Sequence, residues 1–177
     1  DFIYITEHTK LKSAFYLDRQ HKSSTITTNV LVKYLKQEKD FGLEFNYYED
    51  NFDSFTLVDN QAPDYSGTTY SLNITNLKRR PDRFTIQFRG YLVIEEPGEY
   101  SFYLTSDDAS QLFLDNKLIT ETSTFIHKPV VGSTFLKKGK HRIKINYEDL
   151  QGTEKLHLEY SGPNVEGQTI PPWNFLH

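Results

Sequence analysis

Residues 96–117 read Glu96-Pro97-Gly98-Glu99-Tyr100-Ser101-Phe102-Tyr103-Leu104-Thr105-Ser106-Asp107-Asp108-Ala109-Ser110-Gln111-Leu112-Phe113-Leu114-Asp115-Asn116-Lys117. Pro97-Gly98 reads as a turn. Tyr100, Phe102 and Leu104 then alternate with Ser101, Tyr103 and Thr105, the period of a strand with one apolar face. Leu112 and Leu114 continue in one phase, and Asp115-Asn116-Lys117 closes the stretch as a hairpin turn. Between the two strands stand Asp107 and Asp108. Adjacent carboxylates repel, and a corner between strands presents them to solvent, so a hard cation is the partner their chemistry suggests. Taken alone, an Asp pair is more often a solvated turn.

The same period of two extends outward on both sides. Leu43, Phe45 and Tyr47 face one way, against Glu44, Asn46 and Tyr48. Phe84, Ile86, Phe88 and Leu92 alternate with Thr85, Gln87, Arg89 and Tyr91, and Gly90 among them marks a bulge or a close backbone approach. After Lys138-Gly139, His141, Ile143, Ile145 and Tyr147 alternate with Arg142, Lys144 and Asn146. Glu148 to Thr153 reads as a loop, and Leu156, Leu158 and Tyr160 as the last strand. Ile170-Pro171-Pro172-Trp173 is excluded from a central strand by its prolines. Residues 59–83, with Pro63, Gly67 and Pro81, read mostly as loop. Before Gly42 the pattern is faint: Phe2 to Ile5 suits a strand, and Asn29 suits the cap of a short helix carrying Leu31, Tyr34 and Leu35. Short strands divided by turns, with no long helices between them, indicate an all-β antiparallel sandwich. The expected organisation is an N-terminal extension over residues 1–41, packed on a β-sandwich domain over residues 42–177.

Composition agrees. In 177 residues, aromatics make up 15%, with 12 Tyr and 13 Phe, a load that favours strands. A net charge of −4 leaves no basic face for nucleic acid. With no Cys there is neither a disulfide nor a thiolate metal site. No apolar run suits a bilayer span, so this piece is not expected to insert into a membrane. A chain starting at Asp1 without Met reads as a piece of a longer protein, so other domains of a parent chain are expected partners. Asn73-Ile74-Thr75 matches a glycosylation acceptor, a triplet common by chance. The histidines show no zinc spacing, and His141, in phase with Ile143 and Ile145, reads as a hydrogen-bonded core side chain. Lys78-Arg79-Arg80 reads as a solvated loop. Asp107 and Asp108 are adjacent and do not face each other across a cleft, and no nucleophile motif is present, so an enzyme is not expected.

One family carries these elements in this order: the aromatic strand ending Tyr47-Tyr48, then Phe84 to Leu92, then Pro97-Gly98 through Ser106-Asp107-Asp108 to Leu114-Asp115. Gly139-x-His141-x-Ile143-x-Ile145-x-Tyr147, Leu156-x-Leu158-x-Tyr160 and Ile170-Pro171-Pro172 complete it. From about Gly42 to Leu176 the chain resembles the PA-fourteen domain of adhesins, toxins and glycosidases. The resemblance implies a β-sandwich. It also implies, by analogy with the lectin members, that Asp107 and Asp108 are joined by a cis peptide and hold one Ca2+, which binds two sugar hydroxyls. Further ligands would come from the loop Asp149 to Thr153. Gln151 offers a side-chain oxygen, Gln151 or Thr153 a backbone carbonyl, Asp149 an alternative carboxylate, and Gly152 the turn they need. The sugar-binding set is then Asp107, Asp108, Gln151 and Gly152, with Tyr65, Tyr70 and Phe125 as candidates for a rim. The flocculin branch usually has disulfides, which sets this chain apart from it. The expected function is a calcium-dependent carbohydrate-binding module of an extracellular or cell-surface adhesin, with glycans or glycoproteins as partners. The alternative is a structural or accessory module of a secreted toxin or glycosidase, without sugar affinity.

Overall fold

The computed structural model describes residues 41–52, 55–123 and 128–177. The strand expected at Phe2 to Ile5 and the helix expected from Asn29 lie outside them, as does Phe125. The described chain forms eleven strands: β1 (Leu43–Tyr48), β2 (Tyr65–Thr69), β3 (Phe84–Ile94), β4 (Gly98–Asp107), β5 (Ala109–Leu114), β6 (Lys117–Thr122), β7 (Val130–Leu136), β8 (Gly139–Asp149), β9 (Lys155–Gly162), β10 (Val165–Thr169) and β11 (Phe175–Leu176). They make two antiparallel sheets. The larger runs β2-β1-β3-β8-β5-β6, with β11 also on β3, and the smaller runs β10-β9-β4-β7.

The alternation seen in the sequence sets the inner faces. Phe84, Ile86, Phe88, Ile143, Ile145, Tyr147 and Leu112 of the larger sheet pack into one core with Tyr100, Phe102, Leu104, Leu158 and Tyr160 of the smaller. Each such side chain contributes about 1.5–3 kcal/mol when fully buried. Phe84 stands between two tyrosines, stacked on Tyr47 with 5.8 Å between centroids and tilted to Tyr147 at 6.0 Å.

Several expectations are revised. Residues 59–83 contain a strand, β2, which pairs with β1 from Leu43↔Thr69 to Tyr47↔Tyr65. Its Ser66-Gly67-Thr68-Thr69 lacks apolar alternation, because the Phe45 ring fills the space over Gly67. Tyr65 accordingly packs edge-on to Phe45 at 5.7 Å, inside the sheet rather than at a rim, whereas Tyr70 is exposed. Glu148 and Asp149 extend β8 and do not begin the loop, because the β3–β8 ladder continues to Phe84↔Asp149. Leu156 to Tyr160 is not the last strand, since β10 and β11 follow. The basic run is not merely solvated: Arg79 lies 5.2 Å above the Phe84 ring and pairs with Glu154 at 2.6 Å.

Asp115 and Asn116 both take positive φ, 49° and 66°, as a two-residue hairpin between β5 and β6 requires. Asp115 does more than turn the chain. Its Oδ1 accepts the Arg142 backbone N–H at 2.9 Å and its Oδ2 lies 2.7 Å from His141 Nδ1. His141 Nε2 faces the Lys137 carbonyl at 2.8 Å. His141 is therefore hydrogen-bonded at both nitrogens, as expected, though at the border of the core. Burial alone would lower its pKa, but the bonds to Asp115 and Lys137 outweigh burial and hold it above the ordinary value.

The two borders of the sandwich meet beside β3. Phe41 bridges to Leu176, and the Gly42 N–H donates to the Phe175 carbonyl at 3.0 Å. Gly90 makes this possible. A Cβ there would stand 2.4 Å from the Leu176 carbonyl oxygen and 2.7 Å from Leu43 Cδ2. The β3–β8 register passes Gly90 without a shift, so of the two sequence readings the close approach holds and the bulge does not.

Gly90→Ala should destabilise the domain by about 1–3 kcal/mol in urea unfolding, while Gly167→Ala, at a position open to solvent, should leave the midpoint within error. His141 should also give a pH signature. Its folded pKa is raised, so its contribution is fully present below the unfolded value of about 6.5 and is lost as pH rises through the folded value. The stability gap between the wild type and His141→Gln should therefore be wider near pH 5.5 than near pH 8.5 (~3 pH units apart), and an equal gap would refute the assignment.

Candidate metal and sugar site

β4 belongs to the smaller sheet and β5 to the larger, and one residue, Asp108, joins them. The chain changes sheets there, and the Asp107-Asp108 peptide is cis. Hydroxyls staple the crossing on its inner side. Ser106 and Ser110 both bond to Thr122 Oγ1, Ser110 Oγ donates to Ser106 at 2.8 Å, and the Ser110 N–H donates to Thr122 at 2.9 Å. The fully buried Tyr147 donates its hydroxyl to the Asp107 carbonyl at 2.6 Å. Burial, then the charge of Asp149, pushes the Tyr147 pKa well up, so the hydroxyl stays protonated and keeps donating.

The exposed corner expected for the pair needs correction. Asp108 is 4% exposed and Asp107 is half-buried. Asp108 is covered because the β8–β9 loop folds over it: its Oδ2 accepts N–H groups from Leu150 at 2.7 Å and from Gln151 at 3.4 Å. Asp107 Oδ2 accepts the Thr153 hydroxyl at 2.9 Å. The structure thus brings Asp107, Asp108, Gln151 and Thr153 together, and Gly152, at φ 109°, supplies the left-handed turn between them.

Asp149 is the third carboxylate. At the end of β8 it is fully buried, and neither carboxylate oxygen has a hydrogen-bond partner. Burial first, then the charges of Glu154, Asp108 and Asp82, pushes its pKa up to about 6, while the nearby Arg83 backbone amide, outside hydrogen-bond geometry, works the other way. A buried carboxylate without a donor and among like charges is costly to keep ionised. Among the described residues no three Asp, Glu or His side chains converge tightly enough to hold an ion unaided. Any cation here would therefore also use the carbonyl and hydroxyl oxygens of the loop, a mixed oxygen set that suits calcium.

Sequence reasoning missed the supports of that loop. Asp82 Oδ1 accepts the Gly152 N–H at 3.0 Å. Arg79 pairs with Glu154 and holds its carboxyl below the ordinary range. Asn51 Nδ2 donates to the Asp149 backbone carbonyl at 2.9 Å. These partners are 70, 75 and 98 residues apart in sequence, and no local pattern announces such contacts.

Among solved structures, an anti-sigma factor domain-containing protein from Clostridium clariflavum is 18% identical, with a TM-score of 0.64 over 77% of this chain and 47% of that one. The chain thus spans about half the length of that protein. The PA14 sugar-binding domain from an RTX adhesin is 16% identical, with a TM-score of 0.62 over 77% of this chain and 98% of that one. The A domain of Epithelial Adhesin 9 from Candida glabrata, solved with Galb1-4GlcNAc, is 13% identical, with a TM-score of 0.61 over 77% and 88%. At these identities the likeness shows a shared fold. No curated protein matches the chain by sequence. The model of the PA14 domain matches residues 39–173, the span that holds both sheets, the aspartate pair and the β8–β9 loop, and the chain belongs to the PA14 domain family.

Proposed function

We propose that this domain is a calcium-dependent carbohydrate-binding module of a larger extracellular or cell-surface protein, an adhesin in kind. The observation that carries the reading is Asp149, a buried carboxylate with two unpartnered oxygens beside the cis-linked Asp107 and Asp108. Asp107 and Asp108 would supply carboxylate oxygens, with Asp149 as an alternative carboxylate, and Gln151 and Thr153 would add oxygens from the loop. Calcium takes six to eight oxygen ligands, so such a set leaves room for two vicinal hydroxyls of a sugar. Bound calcium would supply a positive centre that accepts neutral hydroxyls. The chain's own contribution is to hold the two aspartates across the sheet crossing and to keep Gln151 and Gly152 at the mouth. Two neighbours support the sugar half of this reading, since one is a sugar-binding domain and the other is solved with Galb1-4GlcNAc.

A second reading is an accessory module that keeps calcium for stability and binds no sugar. It is kept because the fold also occurs in a protein that is not named for sugar binding.

One measurement tests the calcium that both readings share, and a second separates them. Calcium at about 100 times its Kd should stabilise the wild type by about 2.7 kcal/mol, and Asp107→Asn with Asp108→Asn should remove that gain; an unchanged Tm in calcium would sink the calcium reading. On a glycan array, binding should vanish in excess chelator and in the double variant. Calcium binding with no glycan response would favour the accessory module, and glycan binding that survives chelator would refute the mechanism.

A further inference from the structure

The β8–β9 loop is held from two sides. From one side, Asp108 Oδ2 accepts the Leu150 and Gln151 N–H groups. From the other, the connection between β2 and β3 reaches it twice: Asp82 Oδ1 accepts the Gly152 N–H at 3.0 Å, and Arg79 pairs with Glu154 at 2.6 Å. Asp82 is itself placed by its neighbours, between Pro81 and Arg83, whose φ of 61° turns the chain into β3. Arg79 is anchored over Phe84 and on the Ile74 carbonyl.

The Asp82 contact governs an atom it does not touch. In a trans peptide the N–H and the C=O of one unit point in opposite directions, and the Gln151-Gly152 peptide is trans, since the cis bond among the described residues is Asp107-Asp108. The hydrogen bond that turns the Gly152 N–H toward Asp82 therefore turns the Gln151 carbonyl away from Asp82. The positive φ of Gly152 lets the chain continue from that orientation to Thr153, whose hydroxyl returns to Asp107. Without Asp82 the Gly152 N–H would lose the acceptor that sets the orientation of this peptide.

We infer that Asp82 is a positioning residue for the candidate calcium loop, which fixes the Gln151-Gly152 peptide so that the Gln151 carbonyl stays directed away from Asp82 and available as a ligand. This inference rests on the calcium reading for its consequence, but the brace itself exists without metal. Asp82 is not a ligand in this scheme. Its carboxylate acts through one backbone N–H, as outer partners commonly do, and removing such a partner costs about 10–100-fold in metal affinity.

The test compares Asp82→Ala with Asp82→Asn. The asparagine keeps an oxygen that can accept the Gly152 N–H but loses the charge, whereas the alanine loses both. In calcium-free protein, amide exchange at Gly152 should be faster in Asp82→Ala than in the wild type and close to wild type in Asp82→Asn. In calcium titration calorimetry, Asp82→Ala should bind about 10-fold more weakly, with Asp82→Asn within about threefold of the wild type (about 0.65 kcal/mol). If Gly152 exchange is unchanged in Asp82→Ala, the brace is refuted whatever calcium does. If Asp82→Asn binds as weakly as Asp82→Ala, the effect is one of charge and the positioning role is overturned. A wild type that binds no calcium while Gly152 exchange responds as expected would refute the calcium reading, and the ligand role of Gln151 with it, by a result distinct from failure of the brace.

Discussion

One carboxylate, that of Asp108, ties together two of the places where this chain changes sheets. One is Asp108 itself, between β4 of the smaller sheet and β5 of the larger. The other is the β8–β9 loop, which leaves the larger sheet and enters the smaller. The loop donates two backbone N–H groups to Asp108, so both crossings share one anchor. A hydrogen bond to a charged group contributes about 1.5–3 kcal/mol, more than a neutral one. Around this anchor the hydroxyls of Ser106, Ser110 and Thr122 bond to one another, and the phenol of Tyr147 satisfies the Asp107 carbonyl.

The electrostatics of this end run against the stability of the fold. Asp82, Asp108, Asp149 and Glu154 lie near enough that the other three push Asp149 upward, and Arg79 balances Glu154 alone. Nothing in packing asks for an aspartate at the end of β8: the residue opposite it on β3 is the buried Phe84. Local conflicts of this kind, where one choice works against the rest of the fold, tend to mark functional positions.

The period of two made most strands legible, because the inner faces of β1, β3, β4, β8 and β9 are mostly apolar. It failed where burial and polarity part company. Thr85, Gln87 and Asn146 alternate correctly as outward residues and yet are buried. The Asp59 carboxylate accepts from Gln87 at 2.9 Å, and Asn146 accepts from Gln87 at 2.8 Å, so a polar row is roofed over by another segment. β2, β6 and β7 are edge strands or lie beside one, with Ser, Thr and Gly in place of an apolar stripe, and no alternation betrays them. In the candidate site, the aspartate pair and the loop from Asp149 to Thr153 were visible as types and spacings. The burial of Asp108 and the grip of Asp82 and Arg79 were not, since both come from contacts across the fold.

The bridge between Phe41 and Leu176 sets the mechanics of the domain. Chain entry and exit lie one strand spacing apart, about 4.8 Å, so the sandwich can be carried like a bead on a loop without distorting whatever holds it. Phe175 pairs with Leu92, and Asp149 pairs with Phe84, eight positions away on the same strand, a separation of roughly 26 Å. Tension applied through the two borders would load the short β11 contact first and peel it one hydrogen bond at a time, while the acidic end, at the far end of β3, stays out of the line of force.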